Sequence, residues 1–138
     1  MSIALIATKL VVRDLEAAER FYRAMGLKFV NRNLGGEDEV RQQQCWLSAS
    51  GDATTHTLIL TRFLELPPPG RPTYPGEVWL AFRVLDVDAT LTTIQASGGT
   101  ILRPAQDRPE HSVRAAVVGD PEGHIIEIVG PIPSGRTG

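Results

Sequence analysis

The stretch Val11–Val30, VVRDLEAAERFYRAMGLKFV, reads as the end of one strand, a helix and the start of a second strand. Asp14 is placed to cap the helix, because its carboxylate can accept the free N–H groups of the first turn. Leu15, Ala18, Tyr22 and Met25 recur at helical spacing, and Phe21 widens the apolar stripe. Gly26 suits the left-handed position just past the last turn. The same pattern returns in Arg83–Leu102, RVLDVDATLTTIQASGGTIL, where Asp86 caps, Val87, Leu91 and Ile94 form the stripe and Gly98 ends it. Val12 and Val84, Asp14 and Asp86, Ala17 and Ala89, Ala24 and Ala96, and Gly26 and Gly98 are each 72 residues apart.

The later strands repeat too. GDATTHTLIL at 51–60 overlies GDPEGHIIEI at 119–128, with Gly51, Asp52 and His56 meeting Gly119, Asp120 and His124 at a step of 68. The first copy therefore carries four extra residues (72 less 68), assigned here to the Gly- and acid-rich loop NLGGEDEV at 33–40. Elements are expected at 3–12, 15–25, 27–32, 40–49 and 56–62, then at 77–84, 87–97, 100–103, 112–118 and 124–129. The segment 63–76, rich in proline and glycine, reads as a linker, and 132–138 as a tail. The expected fold class is α+β: two βαβββ modules, 3–62 and 77–131, in a single domain covering 1–138. Each helix should cover one face of its own sheet, and the other faces should join to line a cup.

Strand alternation assigns side chains to that cup. Ala7, Lys9 and Val11, then Gln42, Gln44 and Trp46, then Thr57, Ile59 and Thr61 face it in the first module. Trp79, Ala81 and Arg83, with Ile125, Glu127 and Val129, face it in the second. The repeat lays Arg114 over Trp46, so Arg114 and Ala116 are assigned to the cup as well. Glu127 stands out as a carboxylate among isoleucines in HIIEIVG, 124–130. An unpaired buried charge is costly, so Glu127 is expected either to pair with Arg114 or Lys9 or to serve catalysis or ligand binding. Trp46 and Trp79 offer flat apolar faces to a planar ligand. Lys9, Arg83 and Arg114 could hold an anionic group, while Gln42 and Gln44 could hydrogen-bond a polar edge. His111 opens a strand after a loop and is a candidate ligand contact. His56 and His124 share the helix-facing parity and read as structural, and Cys45 points to the core.

Composition narrows the function classes. The chain has 138 residues, a formal charge of −2 with acids and bases interspersed, and one cysteine. That leaves no basic footprint for nucleic acid, no internal disulfide and no apolar run long enough to span a membrane. The N-terminus lacks the pattern of a secretion signal. A cytoplasmic protein with a small-molecule partner is expected, with no nucleic-acid or membrane partner.

On these motifs the chain resembles the vicinal oxygen chelate superfamily, which includes glyoxalase I, bleomycin-resistance proteins and extradiol dioxygenases. LVVRDLEAAERFYRAMGLKFV looks like its opening module; LAFRVLDVDATLTTIQASGG and GDPEGHIIEIVGP look like its second module and closing strand. The resemblance implies a cup and a homodimer. In metal-dependent members, one His, Glu or Gln from each of four strands binds a divalent ion. Matched motif by motif, those positions fall on Ala7, Ile59, Trp79 and Glu127. Three of the four lack a donor, so neither metal nor other cofactor is expected. The expected activity is binding of a small planar organic molecule. The alternative is a metal-dependent lyase, isomerase or dioxygenase using Glu127.

Overall fold

The computed structural model describes residues 2–35, 41–64 and 77–136. The chain forms two compact units, Met1–Pro72 and Thr73–Gly138. Most of the expected linker, residues 65–76, lies outside the described residues.

The first unit runs β1 (Ala7–Val11), α1 (Leu15–Met25), β2 (Lys28–Gly35), β3 (Gln42–Ser48) and β4 (Thr57–Phe63). The second runs β5 (Leu80–Arg83), α2 (Val87–Ala96), β6 (Thr100–Arg108), a short 3₁₀ turn (Pro109–His111), β7 (Val113–Gly119) and β8 (Ile125–Gly130). The sheets have the same layout, β1-β4-β3-β2 and β5-β8-β7-β6. In each, the first strand runs parallel to the last, and the other pairings are antiparallel. This is the expected α+β class and the expected βαβββ repeat.

The helix signals act alike in both copies. Asp14 Oδ1 accepts from the Ala17 N–H and Asp86 Oδ1 from the Ala89 N–H, both at 3.0 Å. Gly26 and Gly98 have φ of 122° and 95°, a region that favours glycine. Each helix then packs on its own sheet. Leu10, Phe21, Tyr22, Cys45, Leu47, Leu58 and Leu60 are buried in the first unit, and Val87, Ile94, Val118, Ile126 and Ile128 in the second. Gly130 is sterically required, since a Cβ there would lie 2.8 Å from the Val84 carbonyl oxygen. Among the described residues, no helix is long and apolar enough to cross a membrane.

Several boundaries differ from expectation: β2 runs on to Gly35 rather than 32, β5 starts at Leu80 rather than 77, and two further differences have a visible cause. The first strand starts at Ala7 rather than residue 3, because its parallel partner β4 begins at Thr57. β6 continues to Arg108, past Pro104, where a strand end was expected. It is an edge strand, so the missing N–H of proline costs no ladder bond on its open side, and the register shifts locally between Arg103 and Gln106.

Three of the four extra residues also lie elsewhere than expected. Ile59 pairs with Trp46, and its repeat equivalent Glu127 pairs with Val117. The third strands of the two units are therefore offset by 71 (117 less 46). The helices are offset by 72 and the last strands by 68. One extra residue precedes β3, and three lie in the connection between β3 and β4. An odd offset moves every side chain to the opposite face. Arg114 consequently points toward α2, not toward the cup face.

Candidate functional site

The face of the second sheet turned away from α2 carries a cavity of about 650 Å³. All of its walls belong to the second unit. Val113, Ala115 and Val117 of β7 supply its apolar floor. Glu127 and Val129 of β8 lie on one side, and Arg103, Pro104, Gln106 and Arg108 of β6 on the other. Glu110 and His111 stand on the turn between β6 and β7, and Trp79 precedes β5.

The turn is held by an unusual backbone. Ser112 has φ 58° and ψ 34°, and its N–H donates to the Pro109 carbonyl at 3.1 Å. A left-handed non-glycine residue is uncommon and costs of order 1 kcal/mol. Here it ends the 3₁₀ turn and reverses the chain directly after His111.

Among the described residues, the side chains of Arg103, Arg108, Glu110, His111 and Glu127 make no hydrogen bond or ion pair with one another or with other side chains. Glu127 is half-buried, flanked by Ala81 and Val117 in the register. Trp79 is 56% exposed. The expected partners of Glu127 are engaged elsewhere, which corrects the ion-pair expectation. Arg114 donates from Nε and Nη2 to the Asp88 carboxylate at 3.1 and 2.9 Å, and from Nη1 to Asp107 at 2.9 Å. It pins α2 to the sheet and has no place in the cavity. Its guanidinium holds the Asp88 carboxyl below its ordinary pKa. Lys9, in the first unit, donates to Gln42 Oε1 at 3.4 Å. Arg83 pairs in register with Val129 but is not among the cavity walls.

In the first unit, the sheet face opposite α1 carries a hydrogen-bond chain rather than free amides. Trp46 Nε1 donates to Gln44 Oε1 at 3.0 Å, and Gln44 Nε2 donates to Gln42 Oε1 at 2.9 Å. The carbonyl oxygen and one N–H of Gln44 are thus occupied, and Gln44 is buried. It orients the Trp46 ring and leaves that ring's face as the surface a ligand could meet. The remaining histidines are structural, as read. His56 Nδ1 donates to the Leu5 carbonyl at 3.0 Å, and its Nε2 lies 2.8 Å from Thr8 Oγ1. His124 Nδ1 lies 2.8 Å from the buried Asp120 carboxylate.

The metal positions implied by the family resemblance do not suit a divalent ion. Ala7, Ile59 and Trp79 carry no ligating atom, which leaves one carboxylate. Among the described residues, no group of three His, Cys, Asp or Glu side chains could hold a metal. Sequence reasoning missed Arg103, Gln106, Arg108 and Glu110. The signal lies in ILRPAQDRPE, largely beyond the expected strand end at residue 103.

The family described as Glyoxalase/Bleomycin resistance protein/Dioxygenase superfamily matches residues 3–128. A glyoxalase family protein of Bacillus cereus superimposes with a TM-score of 0.77 at 20% identity, covering 96% of this chain and 97% of that one. The trypanothione-dependent glyoxalase I of Leishmania major superimposes with a TM-score of 0.70 at 21% identity, covering 94% and 87%. A glyoxalase/bleomycin resistance protein/dioxygenase family enzyme of Burkholderia phytofirmans gives 0.67 at 17% identity, covering 94% and 100%. No curated protein matches the chain significantly. At these identities the structural likeness speaks for the fold alone.

Proposed function

This chain belongs to the glyoxalase/bleomycin resistance protein/dioxygenase superfamily, and from that premise we propose that it binds a small planar organic molecule without a metal. The observation that carries the reading is the cavity on the second sheet. It joins an exposed indole, a floor of small apolar side chains and charged groups that lack partners among the described residues. Concave, largely apolar sites with a few free polar groups are the usual form of a small-molecule site. The donor-poor residues at the family's metal positions support the metal-free part. We extend the reading to a cytoplasmic homodimer, on the family resemblance and the single buried thiol of Cys45.

Fluorescence titration of a Trp46→Phe variant with planar aromatic compounds, excited at the tryptophan band, tests this, because Trp79 is then the sole tryptophan. Saturable quenching that competes with a nonfluorescent analogue is expected. No saturable response to any compound, with the fold intact by circular dichroism, would remove the reading.

One observation favours a second reading. Glu127 has no cation or hydrogen-bond donor on its carboxylate among the described residues, which leaves that carboxylate open to a ligand. As a general base it would exchange a carbon-bound proton of a bound carbonyl compound for deuterium in D₂O. That exchange should vanish in Glu127→Gln while binding persists. Its absence across carbonyl ligands that bind leaves the binder alone.

A further inference from the structure

The charges around the cavity are sorted by strand. β7 contributes only uncharged side chains to the cavity: Val113, Ala115, Ala116 and Val117. Val117 is paired with Arg103 of β6 on one side and with Glu127 of β8 on the other. One row across the floor thus reads base, apolar, acid. Neighbouring strands lie about 4.8 Å apart, so the α-carbons of Arg103 and Glu127 are roughly 10 Å apart. Arg108, paired with Val113, extends the basic side along β6.

The two faces of this sheet treat their cations differently. On the helix face, Arg114 is paired with both Asp88 and Asp107. On the cavity face, the guanidinium groups of Arg103 and Arg108 and the carboxylate of Glu127 have no partner among the described residues. A singly charged ligand covering this row would neutralise one end and strip water from the other charge without replacing it, which is costly. A flat ligand with opposite charges at its two ends answers both. We infer that the ligand is a planar ampholyte lying across β7, its anionic group on Arg103 and Arg108 and its protonated donor on Glu127. Ala115 and Val117 are small enough to let a flat ring approach the floor. The inference rests on the reading of this cavity as the ligand site.

Calorimetric titration with four matched naphthalene probes tests it. One carries a carboxylate and an aminomethyl group at opposite ends of the ring; the others carry the carboxylate alone, the aminomethyl group alone, or an uncharged hydroxymethyl group. The doubly charged probe should bind at least about tenfold tighter than either singly charged one, since each charge-assisted contact contributes of order a tenfold factor or more. The Arg103→Ala/Arg108→Ala variant should reduce its affinity to that of the amine, and Glu127→Gln to that of the carboxylate. If a singly charged probe binds as tightly as the doubly charged one, and all binding is lost in Trp79→Ala, the ampholyte inference falls while the cavity reading stands. If none of the four binds, the cavity reading falls and the inference falls with it. The comparison of probes on the unmodified protein needs no variant to fold.

Discussion

Arg114 and Glu19 show how one side chain can hold a helix to a sheet. Arg114 spans Asp88 on α2 and Asp107 on β6 with three donated hydrogen bonds, and its own side chain is 16% exposed. Arg114→Ala should lower stability by about 1–2 kcal/mol in urea unfolding, because Asp88 loses its partner and Asp107 keeps only Arg136. Binding at the cavity should be unchanged. A variant with weakened binding and intact stability would return Arg114 to the site. Glu19 does the corresponding work on α1, taking Arg23 at 2.9 Å and both Nη2 contacts of Arg32 at 2.5 and 2.6 Å. Burial pushes its pKa up, but the two guanidinium groups outweigh burial and leave it below its ordinary value. Burial, then the Glu19 charge, pushes the neighbouring Cys45 thiol up to about 12, so that thiol stays protonated and unreactive. A depressed carboxylate pKa stabilises the fold above the unfolded-state value and loses that contribution as pH falls through the folded value. Glu19→Gln should therefore be less stable than the parent at pH 7. The two unfolding curves should converge as pH falls below the ordinary glutamate value of 4.5. Parallel curves down to pH 3 would show that Glu19 contributes packing and not charge.

The elements were legible where a signal is local. Asp14 and Asp86, and Gly26 and Gly98, mark helix ends through contacts within a few residues, and both pairs act as read. The repeat also located Ile59 and Glu127 as equivalent positions on the last strands. What could not be read was where the four extra residues lie. Loop length leaves no local trace, yet three residues in the β3–β4 connection rather than before β3 reverse the parity that decides whether Arg114 or Val117 faces the cavity. β6 was cut short for a related reason. A proline ends a strand only if its N–H is needed, and that depends on being an edge, which is a property of the sheet. The chain on β3 was likewise hidden, because side chains two apart on one strand can satisfy each other before any ligand arrives. With Trp46 Nε1 bound to Gln44, and Gln44 to Gln42, the ring is fixed in orientation. Gln44→Leu in a Trp79→Phe background should cost about 1 kcal/mol and reduce the near-ultraviolet circular dichroism of Trp46. An unchanged spectrum would show that packing alone orients the indole.

At the scale of the whole molecule, the four positions that the family resemblance implies for a metal fall in both units, and each unit has a position without a donor. In the first unit the positions are Ala7 and Ile59; in the second they are Trp79 and Glu127. A divalent cation gives up several hydration oxygens on binding and must regain that number of O, N or S donors. An alanine, an isoleucine and an indole return none, since the indole N–H is a donor and not a lone pair for a metal. Glu127 alone would hold such an ion no better than any isolated carboxylate. Arg103 and Arg108, across the cavity floor from it and without partners among the described residues, add repulsion toward an incoming metal. The protein purified without chelator should therefore contain zinc, iron, manganese and nickel at well below one equivalent per chain by elemental analysis. Added zinc should leave the melting temperature unchanged, because an ion that binds the folded state would raise it in proportion to the logarithm of its concentration. One equivalent of metal in the parent, lost in Glu127→Ala, would reverse this conclusion. It would place further donors around Glu127 and make the metal-dependent lyase, isomerase or dioxygenase the working description of the protein.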